Sequence, residues 1–313
     1  MSDFQIWTEK YRPKTISECV LPESIRQVAE GIVAKQKMPN LLLAGSAGTG
    51  KTTLAKALCN EFGYDNIIVN CSNERSIDVL RTTITQFASS VSLTSDMKVC
   101  ILDEFDYAGP VLQAALRNFM EEFHKTTRFI LTCNYPQRII QPLHSRCSVL
   151  DFSLKASDKA GIASRLMKRI IGILSAENVA YDKNAVAQLI FKYFPDFRRT
   201  INELQRYASI NGEINDGVIS ASKGLELGDY ANALKNSDFK TAKKWIVETL
   251  SIVDQNVIFR KIYDALYDLL EPSSIPAAIL IIANYQHRAV TAVDPEVNMA
   301  AMSIELMSDC TFK

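Results

Sequence analysis

The stretch "LLLAGSAGTGKTTLAKAL", residues 41–58, constrains the fold more than any other part of the chain. An apolar, strand-like run is followed at once by G-x4-G-K-[ST], Gly45 to Thr52, and then by a helical pattern. Gly45, Gly48 and Gly50 let the backbone wrap with its N–H groups inward, with Ser46, Ala47 and Thr49 between them. A concavity of that kind at a helix N-terminus binds phosphate. Lys51 reaches the β and γ oxygens, the Thr52 hydroxyl is a magnesium ligand, and Thr53 completes the candidate nucleotide contacts. A glycine-rich turn with no ligand is the weaker reading, because Lys51 at a helix N-terminus is otherwise unfavourably placed against the helix dipole.

The surrounding sequence repeats that strand-then-helix rhythm. From about residue 40 to 154, "NLLLAG", "NIIVNC", "KVCILDE", "RFILTCN" and "CSVLDF" alternate with helical stretches. This predicts βαβ units and a parallel sheet with helices on both faces. After Ser153 no further strand is expected. "SDKAGIASRLMKRIIGIL", opened by Ser157 and an aspartate as cap, "KNAVAQLIFKYF" and "DFRRTINELQRYASI" read as amphipathic helices of a small module. A turn-rich stretch, "NGEINDGVISASKGLELGDY", precedes a third, all-helical segment. The expected organisation is an α/β P-loop domain over 1–154, a helical lid over 155–215 and a helical C-terminal domain over 225–313.

Bulk properties exclude several classes. With 313 residues, 47% apolar and 22% charged, the chain is long enough for two or three folded domains and too apolar for disorder. The longest apolar run, "IPAAILIIA" from Ile275, is well short of the roughly 20 residues of a membrane span, and "MSDFQIWTEK" carries no signal-peptide core. A soluble, unexported protein is expected. Seven cysteines, no two within four residues of each other, argue against a disulfide framework and against a zinc knuckle. Net charge is zero, but residues 155–210 carry ten Lys and Arg against five acids, which places a basic block in the middle of the chain.

Three strand ends extend the phosphate loop into a site. Asp103 and Glu104 close "KVCILDEFD" at the edge where parallel sheets bind ligands. The aspartate can hold magnesium with Thr52, and the glutamate can orient or deprotonate an attacking water. Taken alone, the two acids read equally well as ordinary helix-start residues. Asn134, at the end of "RFILTC", can hold that water near a γ-phosphate or simply close a turn. Arg146 in "QPLHSRCSVL" heads the last strand, away from the phosphate loop. Its cationic fork suits phosphate oxygens, and a turn-closing surface arginine is the plain alternative.

Together, the phosphate loop, "ILDEFD", Asn134, "SRC" and "FPDFRRTINEL" resemble the AAA+ ATPases of the replication factor C clamp-loader family. "IWTEKYRPKTISEC" and "NCSNERSIDVLRTTITQFA" are similar to that family's WVEKYRP and NASDxRGI stretches, and the length, "FPDFR" and Phe105 resemble its T-even-type bacteriophage branch. The resemblance implies an AAA+ ATPase domain, a lid and an oligomerising collar. It implies ATP hydrolysis, with Mg2+, coupled to opening a ring-shaped sliding clamp and placing it at primer–template DNA. Carried over residue by residue, Tyr11, Arg12 and Pro13 meet the nucleotide and Asn134 is sensor one. Arg146 is a finger on ATP held by a neighbouring subunit, and Arg198 is sensor two, reaching from the lid to its own chain's nucleotide. "PDFRR" departs from the family's commoner "GDMRR", with a stiffer entry turn.

Clamp loaders of this family track DNA phosphates. Arg75, Arg81, Gln113 and Arg117 are the candidates, each with a solvated helix position as its alternative. Ile84 and Phe87 are candidates for touching the clamp, with helix packing as an equal alternative. The implied partners are further copies of the chain plus a different subunit, five in all, in the cytoplasm of a cell or of a viral host. A related helicase or branch-migration motor is the runner-up, weakened by the acidic, helical C-terminus. A subunit that binds nucleotide without hydrolysing it has no need of Lys51, Thr52, Asp103, Glu104, Asn134 and Arg146 together.

Overall fold

The computed structural model describes residues 5–72, 77–91, 95, 97–155, 158–218, 227–251 and 253–313, without the side chains of 77–80. Contacts divide the chain into two compact units, residues 1–222 and 223–313.

The first unit is built on five parallel strands, β1 (Leu41–Ala44), β2 (Asp65–Asn70), β3 (Lys98–Asp103), β4 (Thr127–Cys133) and β5 (Ser148–Asp151), in the order β2-β3-β4-β1-β5. Helices α1 (Trp7–Lys10), α2 (Glu23–Ala34), α3 (Lys51–Phe62), α4 (Ile77–Ser89), α5 (Pro110–Glu122) and α6 (Gln141–His144) surround and connect them. Because side chains alternate along a strand, the sheet feeds two cores. Leu41, Leu43, Val99 and Ile101 pack with Leu54 and Leu58 of α3 and Ile25 and Ala29 of α2. Leu42, Cys100, Leu102 and Leu131 pack with Leu112 and Leu116 of α5 and Ile84 of α4. Each buried leucine contributes about 2 kcal/mol. Lys98 is buried with them, its Nζ donating to the Phe87 and Ser90 carbonyls and to Ser90 Oγ, so that it closes the C-terminal end of α4.

The lid follows as α7 (Lys159–Ala176), α8 (Lys183–Tyr193) and α9 (Phe197–Asn211). It also holds a strand pair the sequence reading did not anticipate. Two-residue strands β6 (Ala180–Tyr181) and β7 (Glu213–Ile214) run parallel beside the helix ends, too short to leave a periodic signal. Asp182 and Asp196 cap α8 and α9 by accepting backbone N–H bonds, each cap being worth about 1 kcal/mol. The N-terminal segment belongs to this core as well. Trp7 is buried among Ile162, Leu166, Leu204 and Tyr207, and its N–H donates to Gln205 Oε1 at 2.8 Å.

The second unit is helical: α10 (Gly228–Lys235), α11 (Phe239–Leu250), α12 (Gln255–Leu269), α13 (Ile275–Arg288) and α14 (Pro295–Asp309). Ile246, Phe259, Ile282 and Met302 share its core, and the Tyr230 ring stacks on Trp245 with centroids 4.5 Å apart. Aspartates 238, 254 and 294 cap three of its helices. The apolar run from Ile275 forms the start of α13, with Ile282 inside and Leu280 exposed. Among the described residues, no helix is long and apolar enough to cross a membrane. All seven cysteines are free.

Candidate nucleotide site

At the C-terminal ends of β1, β3 and β4 the first unit opens a cleft of about 480 Å³. Its floor is the phosphate loop. Gly50 has φ +95° at the N-cap of α3, and Gly48 has φ +75°. At Gly48 a Cβ would come within 1.9 Å of the Asp196 carboxylate, and the Gly48 carbonyl accepts the Phe197 N–H at 3.1 Å. A residue without a side chain is therefore required where the loop meets the lid. Ala47, Thr49, Thr52 and Thr53 line the cleft with these glycines.

Lys51 is buried, and its Nζ donates to the carbonyls of Gly45 and Ser46, both at 2.7 Å, and to Asn134 Oδ1 at 2.9 Å. All three acceptors are neutral, so the ammonium's charge is hydrogen-bonded but not cancelled by contact with a carboxylate. Burial pushes its pKa below the ordinary lysine value, opposed by the nearby negative charge of Asp103 and Asp106. Thr52 Oγ1 donates to Asp103 Oδ1 at 2.7 Å, and Thr132 Oγ1 donates to the same oxygen at 2.6 Å. Thr132 also accepts the Glu104 N–H at 3.0 Å. Sequence reasoning passed over Thr132. Its signal was a hydroxyl residue inside the buried run "FILTC".

Glu104 lines the cleft from a backbone in the left-handed region, φ +54°. An ordinary side chain held there points to a local constraint that places it. Asp106 is the second residue the sequence left without a role. It is 5% exposed, and its Oδ2 accepts both the Asn134 and Tyr135 N–H groups at 3.2 Å, which ties the end of β4 to the turn after β3. Its other oxygen is buried with no protein partner among the described residues.

The far wall comes from the N-terminal segment and the lid: Tyr11, Arg12 and Pro13 with Val20, Leu21, Leu166, Ile201 and Arg198. Arg169, a third residue missed in the sequence, secures that wall by donating to the Tyr11 and Glu18 carbonyls. The Tyr11 hydroxyl donates to Glu177 Oε1 at 2.6 Å.

Other candidates lie elsewhere. Arg146 is not part of this cleft. It precedes Ser148, which pairs with Leu41 at the start of β1, so it stands at the opposite end of the strands from the phosphate loop. Arg81 and Arg117 are exposed on α4 and α5, and Arg75 lies outside the described residues. Two expectations are corrected. Gln113 is 3% exposed and cannot track DNA. Its amide nitrogen donates to the Ala108 and Arg138 carbonyls, and its oxygen accepts the Ile140 N–H. Ile84 is fully buried in the sheet core and cannot face a clamp. Phe87 is half-buried, with the Lys98 ammonium over its ring.

Residues 41–153 match the ATPase family associated with various cellular activities, and residues 158–220 match the AAA+ ATPase lid domain of sliding-clamp-loader large subunits. Over 98% of its length the chain is 35% identical to the sliding-clamp-loader large subunit of Enterobacteria phage T4, covering 97% of that protein. It is 41% identical to the replication factor C small subunit of Archaeoglobus fulgidus over 78% of each chain. Among solved structures, a point mutant of RuvB from Thermotoga maritima aligns over 67% of this chain and 72% of its own with a TM-score of 0.54. At 18% identity, that likeness concerns the fold alone.

Proposed function

Because the chain belongs to the sliding-clamp-loader family of AAA+ ATPases, we propose that its ATP binding opens a ring clamp and loads it at primer–template DNA, and that hydrolysis lets the clamp go. It is an ATP hydrolase of a multi-subunit loader that works with a sliding clamp and DNA. The observation that carries the proposed mechanism is the convergence of Lys51, Thr52, Asp103 and Asn134 through short hydrogen bonds in one cleft that Glu104 also lines.

Inward-facing N–H groups of residues 48–52 and the Lys51 ammonium bind the β- and γ-phosphates. Lys51 then exchanges its carbonyl and Asn134 partners for phosphate oxygens. Thr52 and Asp103 fit a Mg2+ ion, since they are hard oxygen donors already in contact, and among the described residues no cluster of three His, Cys, Asp or Glu competes as a site. The ion would supply charge neutralisation at the phosphates. Glu104 orients and deprotonates the attacking water, and Asn134, held by Asp106, positions it. Arg198 reads the γ-phosphate from the lid, so that nucleotide state sets the angle between lid and sheet.

Arg146 serves the ATP of a neighbour. The C-terminal domain, 225–313, acts as the collar through which copies assemble with a different subunit, five in all, in the cytoplasm of a cell or of a viral host. Arg75, Arg81 and Arg117 track DNA phosphates, and Phe87 remains as a clamp contact. Mixing tests the division of labour. Lys51→Ala and Arg146→Ala proteins are assayed separately and together with partner subunit, clamp and primer–template DNA. Each alone should be inactive, and the mixture should recover ATPase activity at interfaces that join an intact Lys51 to an intact Arg146. No recovery despite verified co-assembly would return Arg146 to its own chain.

A further inference from the structure

Arg146 is held in a way that uses only part of its hydrogen-bonding capacity. Nε donates to Glu121 Oε1 at 3.1 Å, Nη2 donates to the same oxygen, and Nη1 donates to the Pro142 carbonyl at 3.1 Å. A guanidinium has five N–H groups in one plane, so two remain, one on each terminal nitrogen, and no described residue claims them. Glu121 holds the edge shared by Nε and Nη2. Pro142 lies one turn back along the same chain, and its carbonyl takes one of the two N–H groups of Nη1. These two N–H groups left over, on the far nitrogens of a fixed cationic fork, are donors suited to phosphate oxygens.

We infer that Glu121, at the end of α5, is a positioning residue that holds Arg146 through Nε and Nη2 so that its unclaimed N–H groups reach the terminal phosphate of ATP on a neighbouring copy. This rests on the assignment of Arg146 as a finger in trans. The carboxylate fixes the direction of the guanidinium with a single oxygen and leaves two of its N–H groups unclaimed. The guanidinium's hydrogen bonds hold the Glu121 carboxyl below its ordinary pKa, so it is ionised at neutral pH. Arg117 stands one turn earlier on α5 and also acts on Glu121, leaving the trio of Arg117, Glu121 and Arg146 with net positive charge. Both members of the pair are partly exposed, the arginine side chain 33% and the glutamate 56%. The pair therefore adds little to folding, and its effect should appear in the reaction instead.

The test uses the assembled loader with clamp and primer–template DNA, carrying Glu121→Gln, Glu121→Asp, Arg146→Ala or the double variant Glu121→Gln/Arg146→Ala. Glu121→Gln should lower kcat roughly ten- to a hundredfold, the effect of a misplaced reactive group. KM for ATP should stay within about twofold, since the cleft around Lys51 is untouched. Glu121→Asp should restore part of the loss, and the double variant should be no worse than Arg146→Ala. Sedimentation and thermal unfolding should match the unaltered complex. If Arg146→Ala is inactive while Glu121→Gln keeps or exceeds full kcat, the positioning role is overturned and the finger stands. A further drop in the double variant overturns it too, because Glu121 would then act apart from Arg146. If Arg146→Ala is fully active, the finger assignment fails and takes this inference with it.

Discussion

Lys51 and Arg146 sit at opposite ends of the same parallel strands and are treated in opposite ways. Lys51 is buried and meets three neutral oxygens. Arg146 is half-exposed and meets a carboxylate. Neutral partners leave a buried cation's full charge for an anionic ligand, and desolvation amplifies it. A charged partner on the surface costs little and fixes direction. The difference suggests that one cation is built to bind nucleotide within its own chain and the other to be aimed out of it.

The most drastic way to separate the two is to ask what each supports in the chain alone. Lys51→Ala should abolish detectable binding of a fluorescent ATP analogue to the isolated subunit, while Arg146→Ala should leave it unchanged. Comparable losses in both would collapse the contrast. In the assembled complex, Arg146→Ala should then cost about 10³-fold or more in kcat, as for other fingers supplied in trans. Asp106→Ala sharpens the cleft side. It leaves the Asn134 and Tyr135 N–H groups without their buried acceptor, for about 1–3 kcal/mol of stability by urea denaturation, with a fall in kcat as Asn134 shifts.

The smallest effect is in pH. With burial holding Lys51 below the ordinary lysine value, analogue affinity should begin to decline at a lower alkaline pH than an unperturbed lysine would give. The sign for folding is the reverse. Between the depressed folded pKa and the unfolded one, the unfolded chain binds the extra proton, so this group's unfavourable contribution to folding shrinks as pH rises through that window. Titrating affinity against stability from pH 7 to alkaline conditions checks both directions.

What the sequence disclosed follows from what one dimension can carry. The phosphate loop and the strand ends at Asp103 and Asn134 are local patterns, and the sheet brings them together as its topology requires. Gln113 was misread as exposed although it lies on the apolar stripe with Leu116 and Met120, three and seven residues on. Ile84 shares a face with Ala88, four residues on, in the same way. Thr132 leaves no periodic trace because both faces of its strand are buried. Glu121, Arg169 and Asp106 matter through partners distant in sequence, or through backbone groups that carry no side-chain signature.

Trp7 has a consequence in time. Its pocket is made by helices as late as α9, and its backbone partner, Gln205, follows it by 198 residues. At a synthesis rate of about 5–20 residues per second, the first helix emerges roughly 10–40 s before its binding place exists. Through that interval the nascent chain carries an unhoused indole, and the wall of the ATP cleft that this segment contributes is completed only when the lid arrives.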